Sequence, residues 1–150
     1  MQDYNKKQSQ QYEKKPKFDA SKLNKSNYVE WAEKIIKNHQ QEMKKMEKSP
    51  VTTNQVRNLL ELLNILRERL RIERVKKLDE DMQGQVQYIK LRFVYAAGRD
   101  NESKGVRNFI QRSGMIECFD TVGDSIEQYE LVCKYMEALV AYHKYYIDKQ

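Results

Sequence analysis

Apolar residues recur along this chain at intervals of three and four, the spacing of one buried helical face, and turn signals separate five such stretches. In the first, about residues 28–47, Tyr28, Ala32, Ile35, Ile36, His39, Met43 and Met46 share a face. Asn27 stands as its cap with Glu30 three residues on, the pattern of a capping box. Glu30–Lys34 and Glu33–Lys37 are i,i+4 pairs on the wet side. Ser49-Pro50 closes it, because proline drives its predecessor out of α geometry. The second stretch opens on Thr52 with Gln55 three residues later, another capping box, and carries Val56, Leu59, Leu60, Leu63, Leu66 and Leu70. Helix can run on to Leu78, where Asp79-Glu80-Asp81 and Gly84 mark a break or a new start. The third, about 85–98, buries Val86, Ile89, Phe93 and Ala97, with Leu91 and Val94 widening the face and Gly98 suited to the C-terminus. A short fourth, about 104–113, buries Val106, Phe109 and Ile110, and Gly114 stops it. Residues 114–124, with Met115, Ile116, Phe119 and Val122, read as an ordered loop. The fifth, about 125–147, is capped by Asp124 or Ser125. It is apolar over a wide arc through two stripes, one through Ile126, Tyr129, Cys133, Met136, Val140 and His143, the other through Val132, Tyr135, Leu139, Tyr142 and Tyr146. A helix this apolar is the centre of a bundle, or shares a face with a partner.

The expected fold class is therefore all-α: a small bundle of about five helices over residues 27–150. Residues 1–26, rich in Gln, Lys, Asn and Ser and without a sustained apolar period, read as a disordered basic tail. The length of 150 residues suits one domain, and five Gly and two Pro are too few for the turns of a β-sandwich or barrel. No run approaches the roughly 18 apolar residues of a membrane span. The first ten residues, MQDYNKKQSQ, lack the apolar stretch of a signal peptide. Cys118 and Cys133 are too few for a disulfide scaffold and wrongly spaced for a zinc knuckle, which fits a reducing compartment. A cytoplasmic protein without membrane contact is expected.

Charge changes this picture by where it sits. The formal net charge is +6. Residues 1–26 contribute +4, residues 51–112 contribute +5 and residues 113–150 contribute −4. The lead is a basic middle, not a global field.

Catalytic chemistry is hard to assemble from what is present. The chain has no glycine-rich phosphate loop, no HExxH, no CxxC and no EF-hand loop. His39, His143 and Cys133 all fall on core stripes, and the acidic pairs Asp79/Asp81 and Asp120/Asp124 lie in connecting segments. No nucleophile, base and oxyanion donor come together, so no catalytic residue, metal site or cofactor is expected, and the chain reads as no enzyme. One constellation stands out. Tyr88, Arg92, Tyr95 and Arg99 fall at i, i+4, i+7 and i+11 and share one helical face. Alternating aromatic and guanidinium groups stack on bases and bind phosphates. The same spacing fits tyrosines packed at the core edge with arginines reaching past them to water, and spacing alone favours that reading. Arg57, Lys90, Lys104 and Arg107 lie on neighbouring elements and would extend a basic surface.

Four stretches carry a family resemblance. They are Asn27-Tyr28-Val29-Glu30 with Ala32-Glu33 behind it, Val51-Thr52-Thr53-Asn54-Gln55-Val56-Arg57-Asn58-Leu59-Leu60, Phe93-Val94-Tyr95-Ala96-Ala97-Gly98-Arg99, and residues 134–146, KYMEALVAYHKYY. In this order, over about residues 27–147, the chain resembles the small subunit of type III-A (Csm) CRISPR–Cas effector complexes. It departs from the pattern in its tail of about 26 residues and in extra residues between Arg99 and Val106. The resemblance implies an all-helical subunit of an antiviral ribonucleoprotein, stacked in several copies along the crRNA beside a filament of backbone subunits. It implies contact with target RNA and bracing of the crRNA–target duplex through basic residues, with nuclease and cyclic oligoadenylate chemistry left to other subunits. It also strengthens the surface reading of Arg92 and Arg99, and Arg57 and Arg99 match the family residue for residue. The expected RNA-binding set is Arg57, Lys90, Arg92, Arg99, Lys104 and Arg107. The expected partners are crRNA and target RNA, the backbone and large Csm subunits, and further copies of the chain. The rival is a helical protein–protein adaptor that does not touch nucleic acid. A helix-turn-helix DNA regulator fits less well, since no short helix pair with a tight glycine turn is evident.

Overall fold

Capping side chains decide where these helices begin, and the computed structural model, which describes residues 18–148, places most of them. A 3-10 turn (Ala20–Lys22) leads into α1 (Tyr28–Lys45), α2 (Thr53–Glu73), α3 (Glu80–Arg99), α4 (Gly105–Ser113), α5 (Met115–Asp120) and α6 (Ile126–Tyr146), and the described residues hold no strand. The class is all-α, as the periodicity predicts, with one helix more. Thr52 and Gln55 form the predicted capping box on α2. Ser125, not Asp124, caps α6, accepting from the Gln128 N–H. Asp79 caps α3 through the Met82 N–H at 2.8 Å, so α3 starts about a turn earlier than its apolar pattern and Gly84 lies inside it.

Other expectations fail for local reasons. Asn27 does not cap α1. Its side chain turns back to hold the preceding turn, Oδ1 accepting from Asn24 N and Nδ2 donating to Lys22 O, both at 2.8 Å. α2 stops at Glu73 because Arg74 turns left-handed at φ 51°, well short of Leu78. Gly98 stays within α3, which ends at Arg99 without a left-handed residue. Residues 114–124 are no loop. Gly114, at φ 66°, ends α4 and opens α5 in a single residue, and α5 buries Met115, Cys118 and Phe119. Met46 lies past the end of α1 and is exposed, and so are Leu91 and Val94, because α3 buries only one flank.

α6 is the central helix, packed on α1, α2 and α5. Tyr129, Val132, Cys133, Tyr135, Met136, Leu139 and His143 on it are all buried. Each such apolar side chain contributes about 1.5–3 kcal/mol when fully removed from water. Two buried hydroxyls lock it in register: Tyr129 donates to Leu63 O of α2 at 2.6 Å and Tyr135 to Ser113 O at the end of α4 at 2.7 Å. The packed chain begins earlier than residue 27. Ala20 and Leu23 are buried, and Phe18 stacks on Tyr135 at 5.1 Å while meeting Trp31 edge-on. The rest of the expected tail, residues 1–17, lies outside the described residues.

Candidate nucleic-acid interface

α2 and α3 run antiparallel, side by side. Arg69 of α2 meets Asp81 and Gln85 of α3 near the connecting turn. At the other end a groove of about 450 Å³ opens between them, lined by Gln55, Asn58 and Leu62 from α2 and by Arg92, Tyr95 and Arg99 from α3. Asp100 and Val106 close its end.

Ion pairing sorts the basic middle into two sets. Arg67 is held by Glu130 and Glu137 of α6, Arg69 by Glu73 and Asp81, Arg71 by Glu68, and Arg112 by Glu42. These charges are matched by carboxylates of the same chain, Arg71 and Glu68 on the open surface and Arg67 partly buried against α6. Among the described residues, Arg57, Arg92, Arg99, Lys104 and Arg107 form no ion pair, and neither do Arg74, Lys76 and Lys77 in the turn between α2 and α3. Arg92 donates to the Tyr88 hydroxyl at 3.4 Å, and Arg99 lies over the Tyr95 ring at 5.6 Å. Tyr88 and Tyr95 are 57% and 62% exposed, so they do not pack at the core edge. The four-residue stripe is a solvated face of alternating rings and guanidinium groups.

The remaining predicted residues divide. Lys90 stands two residues from Tyr88 and Arg92, hence on the far flank of α3. There it pairs with Asp120 of α5 at 2.6 Å, apart from the groove. Lys104 and Arg107 are exposed at the start of α4, and Arg57 is exposed on α2. Arg57 lines a separate depression of about 660 Å³ with Thr53 and Lys144. Gly105 ties these parts together. A Cβ on it would lie 3.0 Å from Ser49 O and from Val51 N, so α4 starts pressed against the segment that feeds α2. The start of α2, the end of α3 and the start of α4 therefore gather at one end of the bundle. Arg57, Arg99, Lys104 and Arg107 sit there, and Arg92 lies two turns along the groove.

Asp100 is the residue that sequence reasoning missed. Its carboxylate accepts from Ser103 Oγ, Lys104 N and Arg107 N and so caps α4 across the loop. Burial works to raise its pKa, but these hydrogen bonds outweigh burial and hold it below the ordinary 3.8. The run Asp100-Asn101-Glu102-Ser103 carries the signal, an aspartate placed to hydrogen-bond the backbone a few residues on. Gln55 and Asn58 were also missed as groove residues. Elsewhere the chemistry is quiet. Burial pushes both cysteine thiols up to about 12. No group of three or more His, Cys, Asp or Glu among the described residues could hold a metal ion, and no helix among them is long and apolar enough to cross a membrane.

A helical module with an open cationic face at one end is what the geometry of the described residues defines. The family model for Csm2 of type III-A matches residues 29–149, nearly the whole described bundle. The chain is 36% identical over 127 residues to the CRISPR system Cms protein Csm2 of Streptococcus thermophilus, a match spanning 85% of this chain and 97% of that one. It is also 36% identical over 95 residues to the protein of the same name from Mycobacterium tuberculosis H37Rv, spanning 63% of this chain and 74% of that one. The chain belongs to the Csm2 family of type III-A CRISPR systems, the small subunits of the Csm complex.

Proposed function

We propose that this small subunit binds RNA backbone through the open end of the bundle and the α2–α3 groove. Arg92 and Arg99 contact phosphates while Tyr88 and Tyr95 offer faces to bases, and Arg57, Lys104 and Arg107 extend the track. One observation carries the reading: among the described residues these five cations gather at one end of the bundle and along its groove without ion pairs, whereas Arg67, Arg69, Arg71, Lys90 and Arg112 are paired and the other unpaired cations of the basic middle, Arg74, Lys76 and Lys77, lie in the turn at the far end of α2. Such contacts neutralise phosphate and release counterions without reading sequence. Sequence selection then falls to guide–target pairing, and the subunit braces the crRNA–target duplex in antiviral defence.

The subunit contributes binding and no chemistry. Both histidines hold backbone atoms of Val51, and both thiols stay protonated at neutral pH. Several copies line up beside the backbone and large subunits. An acidic C-terminal region meeting a basic middle is a poor means of joining them, since Glu130, Glu137 and Asp120 are engaged within the chain. Exposed Ile65, Ile72, Leu91 and Val94 on α2 and α3 favour the adaptor reading in part: they suit apolar packing against a neighbouring subunit on the same two helices.

The test is a photocrosslink in the purified Csm complex, with target RNA carrying 4-thiouridine. Crosslinked peptides of this subunit should centre on residues 88–107 and the start of α2. Crosslinks confined to other subunits would leave the adaptor reading and refute RNA contact.

A further inference from the structure

Val51 lies immediately before Thr52, the cap of α2, in the segment against which α4 starts. Two buried histidines take hold of its backbone. His39 of α1 accepts the Val51 N–H on Nε2 at 3.1 Å, and His143 of α6 donates from Nε2 to the Val51 carbonyl at 2.6 Å. Because the Val51 N–H can only donate, His39 Nε2 carries no proton. Its proton is on Nδ1, which donates to Asn108 Oδ1 at 2.7 Å. Asn108 is fixed in that orientation by donating from Nδ2 to Glu42 Oε2, which also receives Arg112 Nε. A chain of hydrogen bonds thus runs from a surface ion pair to the entrance of α2.

We propose that His39 and His143 are positioning residues, a clamp that sets the start of α2 and the adjoining start of α4 for RNA binding, and that His39 clamps only while neutral. The positioning part rests on the RNA-binding reading above. The groups facing His39 are Glu42 on its own helix, Asn108 and Arg112 on α4, the Phe109 ring edge-on at 6.0 Å, and His143 on α6. A protonated His39 would aim Nε2–H at the Val51 N–H, donor against donor. Burial holds its pKa below the ordinary 6.5 and the nearby His143 acts in the same sense, against the Asn108 hydrogen bond and Glu42. The clamped form therefore prefers the neutral ring. The clamp is fully favoured above 6.5 and weakens as pH falls below it.

Exchange of the Val51 amide in the full chain, corrected for its intrinsic rate, reads the clamp directly. In the wild type its protection should fall by up to about tenfold per pH unit below about 6.5. In His39→Gln, whose amide oxygen accepts the same N–H without titrating, it should stay flat. Equal pH profiles in the two proteins would overturn the clamp. Positioning is read by affinity for a single-stranded uridine RNA at neutral pH. His39→Ala should weaken it by about 3–10-fold, the weight of one lost hydrogen bond, with helical content kept, and His39→Gln should restore it. Wild-type affinity in a folded His39→Ala protein would overturn the positioning role. Should His39→Ala fail to fold, the two exchange profiles decide. A wild type that binds no RNA refutes the RNA-binding reading instead, and the exchange result still decides the clamp.

Discussion

Replacing Arg92 and Arg99 together by glutamine removes two guanidinium groups from the groove and, within the fold, only their exposed contacts with Tyr88 and Tyr95. Neither is ion-paired among the described residues, and neither is buried. The magnitude follows from counting. Each phosphate contact on a single strand contributes about 0.7 to the slope of log affinity against log salt, so two lost contacts lower that slope by about 1.4. Between about 50 and 200 mM salt, a fourfold change, the double variant's deficit should shrink by about sevenfold, because the wild type loses more affinity over that range. Filter binding of the full chain at the two salt concentrations measures this. The control is Arg67→Gln. That arginine is held by Glu130 and Glu137, so its loss should cost stability, about 1 kcal/mol for a partly exposed pair, and leave the salt slope alone. An unchanged slope in the Arg92/Arg99 variant, or an equal drop in the Arg67 variant, would refute the division into paired and open cations.

Three further outcomes test the scaffold. Tyr135→Phe should destabilise the bundle by about 2 kcal/mol and Tyr129→Phe by about 1. Tyr135 serves Ser113 O in the last turn of α4, where carbonyls run out of helical N–H partners, whereas Tyr129 serves Leu63 O within α2; urea midpoints that reversed this order would contradict the argument. Gly114→Ala should cost at least about 1 kcal/mol from the left-handed backbone alone. A further cost comes from the new Cβ running into the Phe18 ring at Cδ1, and this second part should vanish in a Phe18→Ala background. The Asp100 cap contributes stability that is present above pH 3.8 and lost as pH falls through its depressed native pKa, and Asp100→Asn should flatten that acid limb in thermal melts.

How far the sequence could carry the fold depends on which forces act locally. The stripes on α1, α2 and α6 follow from helical periodicity, and Val56, Leu59, Leu63 and Leu66 are buried as their spacing requires. The caps at Thr52 and Ser125 are legible because their partners lie three residues away. Where the deciding contact is remote or competitive, the pattern gives out. Asn27 offered a good cap but found better partners in the preceding turn. α5 is too short for two turns of periodicity and exists because Met115, Cys118 and Phe119 have a core to enter. Phe18 lies in the stretch without apolar period because the site it fills, over Gly114 and Tyr135, is built from residues about a hundred positions away.

The same distinction governs the candidate interface. Counting charges in residues 51–112 gives a basic middle, and each of its cations looks equally available from the sequence. Availability is set by which carboxylates the fold brings within reach. Arg67 and Arg57 lie ten residues apart on one helix, yet Arg67 faces α6, where two glutamates wait, and Arg57 faces water beside Lys144. Lys90 and Arg92 are two residues apart, so helical geometry sends them to different flanks, one to Asp120 and the other to the groove. The one carboxylate at the groove's end, Asp100, is engaged by the loop and by the first N–H groups of α4, so it caps a helix and does not pair with Arg99. The cationic surface here depends on where the acidic residues are committed as well as on the excess of positive ones, which is why a surface of this kind emerges only once the ion pairs are known.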